Sequence, residues 1–362
     1  MEDYRNQTNL LLAVNSYNVS ITGEGEIHGQ SPQWLFPWLN EGPTDWQSLN
    51  TRRPGRLILF DSCNHVSVRG IRIYDSPTWT LVFEKCKHVA VCGVFMRHTD
   101  IINADGIDIV DSSHVTISDC NLHVTDDAIC FKNKTADAPG VRNVAVTNCV
   151  IRTLCNAVKI GTESDGVFEN IAVSNIVVHN PNEDFKYAEG GINIALCDGG
   201  SVRNVIFNNF VMDNVECPFY LVSTPRKSRR KADGVVKAGT IENISISNIR
   251  ADGYRYTPFV VGCPDVPIRG IELSDIHIRK TAEFRDAPFG VDVPECDQQY
   301  PTPFMFGSPS GGQRGCGDGL PAYGLYLRDV DGLRARNFTV DSTGEDCRQL
   351  RVQERCRNIE FI

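Results

Sequence analysis

Apolar positions along the chain repeat in two pairs, each with the spacing of a β-strand. The first position of each copy follows Asn, His or Gly and recurs at intervals of 23 to 39 residues, at Val66, Val89, Val115, Val144, Ile171, Val205, Ile244 and Ile271. Further apolar residues follow two, five and, in most copies, seven positions later. The polar interval between the two pairs holds Gly70, Gly93, Asp119, Asn148, Asn175, Asn209, Asn248 and Asp275. A spacing of two predicts strands, and the break in phase at Asn, Asp or Gly predicts a tight bend between them.

A repeat of this size cannot bury its apolar side alone, so successive copies are expected to stack along one axis. Fainter copies at Val19, Leu333 and Ile359 extend the pattern nearly from end to end. The predicted fold is all-β, a single-domain right-handed parallel β-helix over residues 1–362, in which stacked Asn side chains hydrogen-bond from coil to coil. The Leu-x-x-Leu-x-Leu signature of a leucine-rich horseshoe is missing. Two segments interrupt the repeat, about 31–55 and 282–321, and are interpreted as long loops.

Composition excludes several classes of protein. The chain has 36 Lys and Arg against 45 Asp and Glu, a net charge of -9, so it offers no basic footprint for nucleic acid. Its apolar runs are far shorter than the roughly 20 residues that cross a bilayer, so no membrane association is expected. The first residues lack the pattern of a secretory signal. The 14 cysteines show no paired metal-ligand spacing, and thiols buried in the core are favoured over disulfides.

Three carboxylates are expected to meet on neighbouring coils. Asp105 precedes the pair Asp126 and Asp127 by roughly one repeat, and equivalent positions on adjacent coils lie about 4.8 Å apart. Like charges this close raise at least one pKa, which leaves a protonated acid beside an ionised base, as glycoside hydrolysis requires. A single Asp next to Gly is more often a turn residue, so the spacing of all three carries the catalytic interpretation.

The sequence Asn103-Ala104-Asp105-Gly106, followed by Asp126-Asp127 on such a repeat, resembles the polygalacturonases, glycoside hydrolase family 28. The resemblance implies an inverting hydrolase that acts on a pectic or related acidic polysaccharide or oligosaccharide and needs no cofactor or metal. It implies that Asp126 is the general acid and that Asp105 and Asp127 activate water. Strict strand alternation would send the side chains of Asp126 and Asp127 to opposite faces, so the resemblance also implies a backbone bend there.

The chain departs from the family pattern at two motifs. Where polygalacturonases carry Gly-His-Gly, this chain has residues 155–164, Cys-Asn-Ala-Val-Lys-Ile-Gly-Thr-Glu-Ser, and Gly190-Gly191-Ile192-Asn193-Ile194 stands near the expected Arg-Ile-Lys. Plain polygalacturonate is therefore disfavoured, and the variant looks like bacterial members that attack rhamnogalacturonan or other decorated glycans. Candidate substrate-binding residues are Asn103, Lys132, Asn156, Lys159, Glu163 and His98, for which structural roles compete. Trp79 and Tyr323 are further candidates that could stack on sugar rings.

Two other functions stay open at this stage. Three close carboxylates could hold Ca²⁺, as in a polysaccharide lyase, and a β-helix can also bind glycans without catalysis. The resemblance implies a secreted or periplasmic protein, while the missing signal leaves an intracellular one open. The long interrupting segments favour an exo-acting pocket, but the sequence fixes neither the mode of attack, the sugar and linkage, nor the oligomeric state.

Overall fold

The computed structural model describes residues 6–33, 53–99, 101–134, 137–180, 188–226, 236–281, 293, 295, 300–306 and 319–362. Strands are numbered β1 to β26 in chain order and pair in parallel throughout. Apart from a helical turn at residues 31–33, these described residues form strands, turns and bends. Within them, no helix has the length and apolar character needed to span a bilayer.

One sheet of the described chain has 11 strands and carries the site on its outer face. Its strands are β1 (Asn6–Val14), β4 (Pro54–Asp61), β7 (Leu81–Glu84), β10 (Ile107–Val110), β13 (Ile129–Asn133), β15 (Asn156–Ser164), β17 (Ala188–Leu196), β19 (Val215–Ser223), β21 (Phe259–Val261), β23 (Ala322–Arg328) and β25 (Gln349–Glu354). We call it the first sheet.

The second sheet contains 15 strands among the described residues and bends at the predicted corners. Its strands are β2 (Tyr17–Thr22), β3 (Glu26–His28), β5 (Asn64–Arg69), β6 (Arg72–Tyr74), β8 (Lys87–Cys92), β9 (Phe95–Arg97), β11 (Ser113–Ser118), β12 (Asn121–His123), β14 (Val141–Arg152), β16 (Val167–His179), β18 (Ser201–Asp213), β20 (Thr240–Tyr254), β22 (Ile268–Lys280), β24 (Val330–Ser342) and β26 (Arg357–Phe361). From β14 to β24 each long strand runs through its corner. The first coils instead split there into two strands.

The coil repeat predicted from the sequence is confirmed residue by residue. Each first apolar position pairs with the same position of the next coil, from Val66 and Val89 through to Ile244 and Ile271. The fainter copies at Val19, Leu333 and Ile359 continue the same register. These apolar side chains point between the two sheets and form one continuous buried core along the axis, as expected for a solenoid.

The corner residues adopt the left-handed backbone conformation that the bend predicts. The φ angles of Asn148, Asn175, Asn209 and Asn248 lie between 52° and 58°, a region that asparagine visits more readily than most residues. Their amides form a ladder in which Asn175 donates to Asn148 at 3.2 Å and Asn209 donates to Asn175 at 3.0 Å. The ladder fixes the register of successive coils at the surface, as the core does inside.

The cysteines, three histidines and the interrupting segments are also assigned from the sequence. Cys120 and Cys149 are buried core thiols, and the cysteines among the described residues are free. His65, His88 and His114 recur at one coil position, from which the sequence predicts turns. They lie instead within strands β5, β8 and β11, with left-handed φ angles and tilted rings whose centroids are 4.7 to 4.9 Å apart. Most of the two predicted loops, 34–52 and much of 282–318, lies outside the described residues. The basic run Arg226-Lys227-Ser228-Arg229-Arg230-Lys231, for which the sequence predicts an exposed loop, lies outside the described residues beyond Arg226.

Candidate active site

Asp105, Asp127 and Asn156 occupy the same position on three successive coils of the first sheet. The register that pairs Ile107 with Ile129, and Ile129 with Val158, brings these three residues into line. Gly106 N donates to Asp127 O at 2.9 Å, and Ala128 N donates to Asn156 O at 2.8 Å. Gly106 is needed here because a Cβ would meet the carbonyl oxygen of Ala128 at 2.4 Å. Equivalent positions in a parallel sheet are about 4.8 Å apart, so the expected meeting of Asp105 with the Asp126–Asp127 pair is observed.

Asp126 and Asp127 lie in the bend between β12 and β13, where strand alternation does not apply. An oxygen of Asp126, an oxygen of Asp127 and Sγ of Cys155 all lie within 4.8 Å of one another. Asp126 accepts hydrogen bonds from Asp127 N at 2.8 Å and Asn103 N at 3.1 Å. The bend therefore brings both carboxylates to one place, as the catalytic interpretation requires.

Asp127 is held as a carboxylate by a cation and an amide. Lys159 Nζ lies 2.8 Å from Oδ2, and Asn156 Nδ2 donates to Oδ1 at 2.7 Å. Burial raises the pKa of Asp127, but Lys159 and Lys132 together with these hydrogen bonds hold that pKa below its ordinary value. Asp127 is 3% exposed and is the ionised member of the pair.

Asp126 has the opposite electrostatic environment. Burial and the negative charge of Asp127 raise the pKa of Asp126, and the hydrogen bond from Asp127 N and the cations of Lys159 and Lys132 only partly offset this. The two adjacent carboxyl groups thus have pKa values displaced in opposite directions. Such a split is the arrangement that separates an acid from a base in one site.

Asp105 shares a buried cation with a fourth carboxylate, Asp108. Lys132 Nζ lies 2.8 Å from Asp105 Oδ2 and 2.6 Å from Asp108 Oδ1, and all three side chains are almost fully buried. Burial raises the pKa of Asp105 well above its ordinary value, and Asp108, Asp126 and Asp127 add to the rise while Lys132 opposes it. Asp105 Oδ1 is a buried oxygen with no hydrogen-bond partner among the described residues.

The predicted substrate-binding lysines contact carboxylates of the protein. Lys132 Nζ also lies 3.4 Å from the ring centroid of Trp79, and the guanidinium carbon of Arg56 lies 3.8 Å from the same centroid. Trp79 is 8% exposed and thus packs against cations of the protein instead of offering a sugar platform. Lys159 is nearer the surface, with 14% of its side chain exposed. The main role of both lysines is therefore to neutralise carboxylates of the site.

The other predicted residues divide between the site and its support. Asn156 Oδ1 accepts from the Tyr220 hydroxyl at 2.8 Å, and Asn193 Nδ2 donates to that hydroxyl at 2.8 Å. The backbone nitrogen of Asn103 donates a hydrogen bond to Asp126, and the side-chain oxygen of Asn103 accepts one from Arg53 at 3.0 Å. These contacts place Asn103 and Asn156 at the edge of the carboxylate cluster.

Glu163 and His98 differ in their access to a ligand. The Glu163 carboxylate lies 3.7 Å from Arg226 Nη1 with 27% of its side chain exposed. Burial raises its pKa, but Lys132, Arg226 and Lys159 bring that pKa down to about 2. His98 is instead 4% exposed, with Nε2 2.8 Å from the Thr80 hydroxyl and Nδ1 accepting from Ser76 N. Burial lowers the pKa of His98 to about 4. His98 is therefore a neutral residue with both ring nitrogens hydrogen-bonded inside the protein.

Sequence reasoning missed Asp108, Tyr220 and Glu189. The Tyr220 hydroxyl also contacts Glu189 Oε1 at 3.3 Å. Register arithmetic finds Asp108 and Tyr220, but not Glu189, once the coil boundaries are known, because Asp108, Cys130, Lys159, Asn193 and Tyr220 form one outward-facing row of the first sheet. The varying lengths of the intervening turns hid this row in the sequence.

Comparison with solved structures defines the class of fold. The exopolygalacturonase of Thermotoga maritima superposes with a TM-score of 0.61 at 22% identity, covering 76% of this chain and 68% of that one. The family 28 exopolygalacturonase of Yersinia enterocolitica gives a TM-score of 0.65 at 13% identity, covering 95% and 60%. The fold is the right-handed parallel β-helix of such pectin-degrading enzymes.

A sequence profile described as Glycosyl hydrolases family 28 matches residues 2–289. The chain therefore belongs to this family of glycoside hydrolases. A similar curated protein is the probable polygalacturonase At3g15720 of Arabidopsis thaliana, 31% identical over 205 residues, covering 56% of this chain and 40% of that protein. Across eight such curated relatives, the chain spans between 40% and 63% of their length.

Proposed function

We propose that this protein hydrolyses glycosidic bonds in a pectic or related acidic polysaccharide, with inversion at the anomeric carbon. The observation that supports this most is the opposite displacement of the pKa values of Asp126 and Asp127. Hydrolysis of a glycoside needs one protonated and one ionised carboxyl group. Family membership supports a secreted or periplasmic enzyme that meets such polymers.

In this proposal Asp126 is the general acid. Its proton passes to the glycosidic oxygen as the bond from that oxygen to the anomeric carbon breaks. Asp127 and Asp105 orient a water molecule whose oxygen attacks the same carbon from the opposite face, and a carboxylate takes the proton that this water loses. The low pKa of Asp127, held down by Lys159, Lys132 and Asn156, suits this role.

The sugar that lies over β17 and β19 is proposed to be uncharged. Near the position where the resemblance implies Arg-Ile-Lys, this chain has Gly190-Gly191-Ile192-Asn193-Ile194. The side chains present there are the Asn193 amide, the Tyr220 hydroxyl and the Glu189 carboxylate, and Lys159 is already paired with Asp127. Asn193 and Tyr220 are fully buried and Glu189 is 7% exposed. The one charged group among the three is a carboxylate, which would repel a uronate. A polymer that alternates uronic acids with neutral sugars fits better than plain polygalacturonate.

The test is a panel of defined glycans: polygalacturonate, an alternating rhamnose–galacturonate polymer, a xylose-substituted galacturonan and a neutral arabinan. Products are identified by mass and reducing ends are counted. We expect release from an acidic, decorated polymer, and a loss of about 10²- to 10⁴-fold in Asp126→Asn. Asp119→Asn is the matched control, because Asp119 is an exposed corner residue of the amide ladder.

Three outcomes would contradict the proposal. Products with a new double bond, which absorb in the ultraviolet, and loss of activity with a chelator would instead indicate a lyase. Binding of a glycan with no bond cleaved would indicate a binding module. Equal activity of Asp126→Asn and the unmodified protein would remove Asp126 from the role of acid.

A further inference from the structure

A groove on the outer face of the second sheet carries a row of basic side chains. Arg97, His123, Arg152 and His179 stand one above another on four successive coils, at the ends of β9, β12, β14 and β16. They line a surface cavity of about 440 Å³ together with Phe95, Asn121, Val150 and Ile151. We call these eight residues the basic groove. It lies beside the turns of the catalytic coils, since only two residues separate His123 from Asp126.

The two arginines of the groove, Arg97 and Arg152, are not neutralised by a carboxylate of the described residues. Arg97 is exposed and Arg152 is half-buried, and within the described part of the chain neither forms an ion pair. Most exposed arginines of this sheet behave differently, for example Arg269 with Glu242 and Arg334 with Glu360. The net charge of -9 repels an anion at long range, so binding of an anion depends on local cations that are not already paired.

The row has a defined end. His179 Nδ1 lies 3.1 Å from Asp213 Oδ2 on the next coil, and Asp252 follows Asp213 in the same register. The basic row therefore covers four coils, with fixed positive charges at Arg97 and Arg152, and is followed by carboxylates. With a coil spacing of about 4.8 Å, Arg97 and Arg152 are roughly 10 Å apart, a separation suited to alternate charges along an extended anionic chain.

The row of side chains next to the basic row is mostly apolar. The row two residues before the basic one contains Phe95, Asn121, Val150 and Val177. Val150 is 44% exposed and Val177 is 39% exposed, which is high for valine in a sheet. Aromatic and aliphatic surfaces suit the apolar faces of pyranose rings, so the groove combines cations with a platform for sugars.

We propose that the basic groove is a second, non-catalytic binding surface for an anionic polysaccharide chain. Arg97 and Arg152 would pair with carboxylates of the polymer, while sugar rings pack on Phe95 and Val150. A chain held there stays close to the carboxylate cluster, so its other segments reach the cleft more often. This inference extends the proposed function, because it takes the substrate to be an acidic polymer.

Binding is tested without turnover, by affinity electrophoresis and calorimetry with polygalacturonate as the probe at low ionic strength. The double variant Arg97→Gln/Arg152→Gln is compared with Arg269→Gln/Arg334→Gln, which removes the same charge from exposed positions of the same sheet. We expect about tenfold weaker binding for the first double variant and a change below about twofold for the second. The difference should shrink as salt screens the charges, and Arg97→Lys/Arg152→Lys should retain binding.

Equal binding by the two glutamine double variants, or no dependence on salt, would overturn the inference. Hydrolysis assays separate it from the proposed function. The Arg97→Gln/Arg152→Gln variant should cleave a short oligosaccharide at the unmodified rate and the polymer more slowly. If binding depends on the groove but no glycan is cleaved, the proposed function is refuted and the binding role of the groove is retained. If glycans are cleaved but binding does not depend on the groove, the binding role is refuted.

Discussion

Lys159 Nζ lies 2.8 Å from an Asp127 oxygen, while the adjacent Asp126 accepts hydrogen bonds from two backbone N–H groups. This ion pair, together with Lys132 and the Asn156 amide, holds the pKa of Asp127 down, while burial and the charge of Asp127 raise the pKa of Asp126. If Asp127 is a base, activity falls as the pH drops through its pKa. Lys159→Met removes the cation that lowers this pKa, so the acid limb of the kcat/KM profile should move to higher pH. Lys87→Met, at an exposed position of β8, is the control. An unmoved acid limb in Lys159→Met would contradict the assignment.

Lys132 is expected to be essential for stability, because it compensates two buried carboxylates. Lys132→Met leaves Asp105 and Asp108 without their cation, and breaking such a buried network costs about 3 to 5 kcal/mol. Lys134→Met breaks a more exposed pair with Glu84, at 2.7 Å, and should cost about 1 kcal/mol or less. Denaturant unfolding at pH 7 measures both, and similar losses would show that Lys132 is not a structural cation.

The asparagine ladder gives a prediction about backbone conformation. Asn175 has a φ angle of 56° and hydrogen-bonds to Asn148 and Asn209. Asn175→Ala loses these bonds and holds alanine in the left-handed region, at a combined cost of about 2 to 3 kcal/mol. Asn175→Gly loses the bonds but keeps an accessible conformation, so it should be less destabilising by about 1 kcal/mol. Equal unfolding free energies for the two variants would show that the φ angle carries no cost.

Asp111 is a buried carboxyl group whose replacement should stabilise the protein. Burial raises its pKa to about 6, and Oδ1 has no hydrogen-bond partner among the described residues. A group with a raised folded pKa lowers stability as pH rises from its unfolded value through its folded one. Asp111→Asn can still accept the hydrogen bond from Lys134 N. The variant should gain about 1 to 2 kcal/mol at pH 7 and little at pH 4. A gain that is the same at both pH values would contradict this origin.

The repeat predicted the fold because each coil repeats the same chemistry at the same place. Val66 and Val89 could be paired from the sequence, as could the Asn148–Asn175 contact, since left-handed corners and apolar alternation are local signals. The expected meeting of Asp105 with the Asp126–Asp127 pair followed from one-coil spacing.

The remaining site residues needed information that is not local. Asp108 and Tyr220 lie on an outward row whose residue types change at every coil, and turns of unequal length separate them. The bend at Asp126 lies between two strands, where alternation gives no direction. His98 and Trp79 looked able to touch a sugar, but the burial that places them beneath the surface depends on neighbouring coils.

The central claim is that carboxylates from neighbouring coils hydrolyse a glycosidic bond by a single displacement, with Asp126 as the acid. The most direct measurement is proton NMR of the product formed in the first moments of hydrolysis, before the sugar anomers equilibrate, on the glycan that the panel identifies. The account predicts that the new reducing end has the opposite anomeric configuration to the bond that was cut. A product with the original configuration would contradict it.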